Sequence, residues 1–156
     1  MEIIEPDRGR YLRAAYEAAK AAGHIWPIFA ACESALDSDF GTSVLAVQAN
    51  NVFNLRAPAR IDPAMASYIW TQTVNGRQYD WLKFTNLAQC FEARMGKLRK
   101  FSIYYQALRA KTGTAYIAEI SKSWSQDRER PNKVFALVEA LAPSLPGLEL
   151  QAKAKL

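Results

Sequence analysis

Glu33 and Asp37 lie four residues apart in the stretch Ala31-Cys32-Glu33-Ser34-Ala35-Leu36-Asp37-Ser38. On a helix that spacing puts both carboxylates on one face. Near a helix C-terminus they repel each other and feel the negative end of the peptide dipoles. Both effects favour the protonated acid and raise a pKa. A carboxyl that keeps its proton can deliver it to a leaving oxygen, as cleavage of a glycosidic bond requires. The plainer reading is that both acids are solvated surface groups, or that one of them caps a neighbouring loop.

A second group of residues has a spacing suited to binding. Asn75-Gly76 is the strongest short hairpin signal, and it lies between two segments rich in β-branched and aromatic residues, Tyr68 to Val74 and Arg77 to Phe84. With a two-residue turn, Val74 faces Arg77, Gln72 faces Tyr79 and Trp70 faces Trp81. Side chains alternate, so Tyr68, Trp70, Gln72, Tyr79 and Trp81 share one face. Aromatic rings with an amide between them can stack on sugars and hold an N-acetyl group. Packing of Trp70 and Trp81 against a helix is the alternative.

These groups need a helical body and a small β lobe to position them. Arg8 to Gly23 reads as an alanine-rich first helix, and Pro27 suits the first turn of a second, from Pro27 to about Ser38. Thr42 or Ser43 caps a third that runs to about Ala49. A loop holding Pro58 and Pro63 leads into the hairpin. Helical patterning returns from Asn86 through about Leu108, then near Thr114 to Ser123 and Pro131 to Leu141. The expected fold is mainly α, with one hairpin lobe, as a single domain over 1–156 with its core at about 8–142. After Pro143 the chain reads as a frayed tail.

The 156 residues are half hydrophobic and carry a formal net charge of +5, with a pI near 9.3. That is enough apolar material for one real core and too much for a disordered chain. No apolar run approaches the roughly 20 residues of a membrane span. Met1 to Asp7 is acidic and lacks the basic start and apolar core of a signal peptide. The mild positive charge suits nucleic acid, anionic lipid or acidic cell-wall polymers. Its densest run, Arg94, Lys97, Arg99 and Lys100, reads as a solvated helix face. Cys32 and Cys90 sit in apolar helical stretches, where buried free thiols are expected. With one histidine, His24, there is no metal-ligand spacing.

Residues Ala31 to Ser43 and Asn50-Asn51-Val52-Phe53-Asn54-Leu55-Arg56 resemble the active-site segment of bacterial glucosaminidases, glycoside hydrolase family 73. That family reads Ala-Leu-Glu-Ser-Gly-Trp-Gly-x-Ser, followed by Asn-Asn-Leu-Phe-Gly-x-Lys. Ala35-Leu36, Ser38, Gly41 and Ser43 match, which places the family's catalytic glutamate on Asp37. A competing register places it on Glu33-Ser34, as in lytic transglycosylases. The family's hairpin reads Thr-x-Glu-x-x-Asn-Gly, and its glutamate, the usual second carboxylate, is Gln72 here. Near the C-terminus Tyr116, Asp127 and Lys133 match, while Arg130 replaces a tyrosine of the cleft. Asn54 stands where the family has glycine. The resemblance spans roughly residues 20 to 140.

It implies a lysozyme-like fold and a peptidoglycan hydrolase that cuts beside N-acetylglucosamine, with Asp37 or Glu33 as the acid. With Gln72 unable to act as a base, the substrate's own N-acetyl group would assist. Gln72, Trp70, Tyr68, Tyr79, Trp81, Asn51, Phe53 and Arg130 are the candidate substrate-binding residues. Asn51 and Phe53 are also suited to bracing the junction between helix and lobe. The alternative is a lysozyme-like module that binds glycan or serves a structural role without cutting it. No cofactor, metal or nucleic-acid partner is implied, and a monomer is expected. Action at the cell wall would require release by a phage-type route, a secretion system or a removed leader.

Overall fold

The computed structural model describes residues 6–60 and 67–141. Asp62, Pro63 and the tail after Pro143 lie outside them. Among the described residues are helices α1 (Pro6–Ala21), α2 (Pro27–Ser38), α3 (Val44–Ala49), α4 (Leu87–Lys100), α5 (Tyr105–Leu108), α6 (Gly113–Trp124) and α7 (Arg130–Leu141), with strands β1 (Ile69–Val74) and β2 (Arg77–Leu82).

α2 is the hub. Ten of its twelve residues are buried: Pro27, Ile28, Phe29, Ala30, Ala31, Cys32, Glu33, Ser34, Ala35 and Ser38. A helix that is apolar on every side needs neighbours on every side. α1 and α7 pack directly against α2, and α4 packs against α1. The core around α2 includes Leu12, Phe91, Leu98, Ile117, Ile120, Val134 and Val138. Cys32 and Cys90 are buried free thiols, and Cys90 Sγ accepts a bond from the Val52 amide at 3.4 Å.

Several boundaries follow from local chemistry. Ser43 caps α3, its side chain accepting from the Ala46 amide. Asn86 caps α4 by accepting from the Gln89 amide, while the Gln89 side chain accepts in return from the Thr85 amide. Paired donors of this kind mark a helix start strongly. One expectation is corrected here. α4 stops at Lys100 rather than near Leu108, because Phe101 turns extended (φ −101°, ψ 124°). A 3₁₀ turn, Ser102–Tyr104, and the short α5 follow.

The hairpin forms in the expected register, with Trp70 opposite Trp81, Gln72 opposite Tyr79 and Val74 opposite Arg77. Asn75 and Gly76 both adopt positive φ (51° and 73°), as a tight turn that matches strand twist requires. Tyr68 falls outside the strand, in a short 3₁₀ turn, and is 52% exposed. The lobe is tied to the body by backbone bonds from Leu82 N to Leu55 O, Ala57 N to Asp80 O and Phe84 N to Ala49 O. Arg56 bridges to Trp81, so residues 55–57 run along the edge of β2.

Candidate functional site

The turn after α2 presents the C-terminal end of that helix. Asp39, Phe40 and Gly41 all have positive φ (48°, 54° and 78°). A Cβ at Gly41 would lie 2.7 Å from the Tyr11 ring, so only glycine fits there. Ser38 locks the turn: its hydroxyl donates to Ser34 O at 2.6 Å and accepts from the Gly41 amide at 2.9 Å.

Glu33 and Asp37 do share a face of α2, but one helical turn separates two very different environments. Glu33 is fully buried. It accepts from Arg94 Nη2 at 2.8 Å and from the Tyr116 hydroxyl at 2.7 Å, and Arg130 Nη1 lies 2.9 Å from the same Oε2 that Arg94 binds. Burial alone would raise its pKa. Arg94 and Arg130 outweigh burial, and the carboxyl is held below its usual range. It is therefore an ionised structural anion with no exposed surface. Glu33 as the acid that faces the substrate does not fit this geometry.

Asp37 keeps 13% of its side chain exposed, and its Oδ2 accepts from Arg130 Nη2 at 3.0 Å. Its pKa is raised, chiefly by burial and also by the nearby Glu33 charge, with Arg130 opposing the rise. Arg130, buried to 2% exposure, thus joins the two acids, one guanidinium nitrogen on each. Its hydroxyl partner is Ser121, at 3.3 Å. Arg130 lies behind Asp37 instead of on the surface as a sugar contact. The charge it carries is favoured by both acids.

The basic run around Arg94 predicts a solvated helix face. Arg94 is instead fully buried. Its guanidinium carbon lies 4.2 Å from the Phe53 ring centre and 4.1 Å from that of Trp124. Its Nε and Nη1 have no hydrogen-bond acceptor among the described residues, and the aromatic faces stand in for one. The signal was present in α4: Cys90, Phe91, Arg94, Met95 and Leu98 form one buried stripe at helical spacing. A run of charge along the chain does not show which of its members falls on that stripe.

Asp37 opens into a pocket of about 270 Å³ lined also by Phe53, Asn54, Arg56, Lys97, Tyr104, Ser123, Trp124 and Ser125. Among the described residues Asp37 is the only acid lining it. Asn54 takes the left-handed conformation (φ 55°) and its side-chain amide donates to Asp37 O at 3.4 Å. Asparagine tolerates that conformation better than other side-chain-bearing residues, which accounts for its standing at a glycine position. A wider surface depression of about 450 Å³ near Ala118 to Pro131 offers only Asp127, which is exposed and paired with Lys133 at 2.6 Å. It lacks a shielded acid.

The hairpin residues do not line the Asp37 pocket. Arg56 links the two regions. It lines the pocket, and its guanidinium carbon stands 5.0 Å from the Tyr79 ring centre and 4.9 Å from that of Trp81. Those rings are stacked, 6.4 Å apart and 20° from parallel. Trp70 and Gln72 sit across the ladder from them, half-buried and outside the core cluster, so core packing does not occupy this face. Asn51 is fully buried. Both hydrogens of its amide are used, on Leu55 O and Leu82 O at 2.9 Å each, and its oxygen accepts from the Leu55 amide. With every polar atom of its side chain engaged, Asn51 braces the lobe and is not a sugar contact. Phe53 is 1% exposed, stacked edge-on with Phe91 at 4.9 Å, and forms the inner wall of the pocket. His24 is buried too; burial and Arg94 push its pKa down to about 4, leaving it neutral.

The fold has clear relatives. The catalytic domain of the autolysin Auto from Listeria monocytogenes is 16% identical, with a TM-score of 0.73 over 92% of this chain and 89% of that one. A peptidoglycan hydrolase from Sphingomonas sp. A1 is 16% identical, with a TM-score of 0.67 over 95% of each chain. An N-acetylmuramoyl-L-alanine amidase from Staphylococcus aureus is 13% identical, with a TM-score of 0.68 over 99% of this chain but 48% of that one. At these identities the likeness is one of fold. No curated protein sequence matches the chain. Residues 13–142, however, match the glucosaminidase model, described as mannosyl-glycoprotein endo-beta-N-acetylglucosaminidase, and this lysozyme-like chain therefore belongs to that family of glycoside hydrolases.

Proposed function

We propose that this protein hydrolyses the glycan strands of bacterial peptidoglycan beside N-acetylglucosamine, with Asp37 as the proton donor. The observation that carries this reading is a shielded carboxyl with a raised pKa, opening into a pocket walled by aromatic and amide side chains. The relatives known as an autolysin and a peptidoglycan hydrolase support the choice of substrate. Action at the cell wall follows from that substrate.

With Asp37 the only acid lining the pocket among the described residues, and Gln72 at the hairpin position where a second carboxylate is expected, one acid must serve twice. In the first step the carbonyl oxygen of the substrate's N-acetyl group attacks the anomeric carbon. The glycosidic bond breaks, and its oxygen takes the Asp37 proton. In the second step water attacks the anomeric carbon, the bond from that carbon to the acetamide oxygen breaks to regenerate the N-acetyl group, and the water's proton passes to the Asp37 carboxylate, which restores the acid. Arg130 stabilises the carboxylate between the steps, because it already binds Oδ2. Burial favours the protonated form at the start of the next cycle. Trp70, Gln72, Tyr79 and Trp81 extend the cleft along the glycan, and Arg56 joins that surface to the pocket.

Digestion of purified peptidoglycan, with products read by mass spectrometry, tests this directly. New reducing ends at N-acetylglucosamine, absent with Asp37→Asn, are the expected result. Anhydro-muramyl ends would sink the hydrolytic step. A wild type that sediments with the sacculus and releases nothing over a range of pH would replace the enzyme with a binding module.

A further inference from the structure

Two cations face the Asp37 pocket with no counter-charge paired to them among the described residues. Arg56 and Lys97 both line it, and neither has a carboxylate within ion-pair distance among the described residues. Asp37, the pocket's own acid, is already engaged by Arg130 at 3.0 Å. Both cations are held in place by aromatic rings: Arg56 over Tyr79 and Trp81, and Lys97 over Trp124, with its Nζ 5.0 Å from the ring centre. Tyr104 and Ser125 add hydroxyl groups to the same lining.

We propose that Arg56 and Lys97 form a carboxylate-recognising subsite, which selects glycans that bear an anionic substituent on the sugar beside the one held at Asp37. This rests on the glycan-cutting reading above and narrows its substrate to acidic strands. The pocket is small, so a carboxylate attached close to the ring fits better than one at the far end of a flexible chain. Partial burial and the neighbouring Arg94 charge both weaken the protonated form of Lys97. An incoming anion relieves that cost, whereas a neutral sugar does not. In peptidoglycan the carboxylate has two sources: the lactyl group on the muramyl ring, which is free only where no stem peptide is attached to it, and the acidic residues of the stem peptide.

Binding of soluble oligosaccharides, followed by intrinsic tryptophan fluorescence, to which Trp124 in the pocket wall contributes, tests the proposal, with mass spectrometry of the same samples reporting turnover separately. Four probes are needed: peptide-free glycan with free lactyl carboxylates, the same glycan with those carboxylates converted to methylamides, stem-bearing muropeptide strands, and neutral N-acetylglucosamine oligomers. The wild type is expected to bind the lactyl form about tenfold more tightly than its methylamide, a factor equal to about 1.4 kcal/mol. Lys97→Gln and Arg56→Gln are each expected to bring that ratio toward one. Stem-bearing strands bound more tightly than the lactyl form would move the contact to the peptide and overturn the ring-proximal assignment. Equal affinity for the charged and amidated forms, or a ratio that survives both substitutions, would overturn the subsite outright. Cleavage without charge discrimination would leave the hydrolase reading standing, whereas charge-dependent binding without cleavage would do the reverse.

Discussion

Glu33→Gln separates the structural anion from the catalytic acid. In the native site one fully buried carboxylate faces Arg94 at 2.8 Å, Arg130 at 2.9 Å and the Tyr116 hydroxyl at 2.7 Å. Glutamine has nearly the same shape but only one accepting oxygen, and its amide hydrogens would point at guanidinium donors. Two buried arginines would then share the single charge of Asp37. Breaking a buried pair by removing one partner costs about 3–5 kcal/mol, because the other charge stays buried. That is a large part of the roughly 5–15 kcal/mol by which such domains are stable. For a chain of this size it corresponds to a fall in Tm of about 6–20 °C. Urea denaturation followed by circular dichroism measures it. The native carboxyl has a depressed pKa, so its stabilisation is present above its ordinary value of 4.5 and is lost as pH falls through the folded-state value. Glu33→Gln should therefore flatten the acid limb of the wild-type stability curve. The substitution also removes the like charge that helps hold the Asp37 pKa up, and leaves Arg130 to Asp37 alone. The Asp37 pKa should then fall, with the Glu33 charge gone and the Arg130 charge still beside it. A general acid loses activity as pH rises through its pKa, so the basic limb of the kcat profile should move to lower pH. A loss under about 1 kcal/mol, or an unmoved basic limb, would refute the assignment of Glu33 as the anion between the two arginines.

Asp37→Asn should lower kcat by at least about a hundredfold, since the amide has no proton of suitable acidity to give. Its stability should change by only about 1 kcal/mol because Arg130 keeps Glu33 and Ser121; a melting curve beside the product assay checks both. Gly41→Ala places a methyl 2.7 Å from the Tyr11 ring in a left-handed residue, and should destabilise by about 1–3 kcal/mol in chemical denaturation. Asn51→Ala strands the Leu82 carbonyl and the Leu55 amide, while the Leu55 carbonyl keeps only its bond from the Leu82 amide. It should cost about 2–4 kcal/mol and speed hydrogen exchange at the β2 amides before the helical core exchanges; uniform exchange across the chain would argue against its role as the brace of the lobe.

Much of this protein is written locally. Pro27 and the small-residue turn bound α2 at Pro27–Ser38 as expected, and Asn75-Gly76 sets the hairpin register residue by residue. Those signals depend on the backbone preferences of a few adjacent residues, so they survive without knowledge of any neighbour. Periodicity also placed Glu33 and Asp37 on one face of a helix. What it left open was which of them is buried, because depth depends on what packs against that face. Arg94 stands 61 residues from Glu33, Tyr116 stands 83 away and Arg130 stands 93 from Asp37. α4, α6 and α7 bring those groups to one point, and a charge pair has no pattern along the chain to announce it. The sequence by itself therefore determined the helix, the turn and the two acids. The tertiary packing decided that the inner acid became a buried counter-ion and the outer one kept an opening to the pocket, because only folding fixes where water ends.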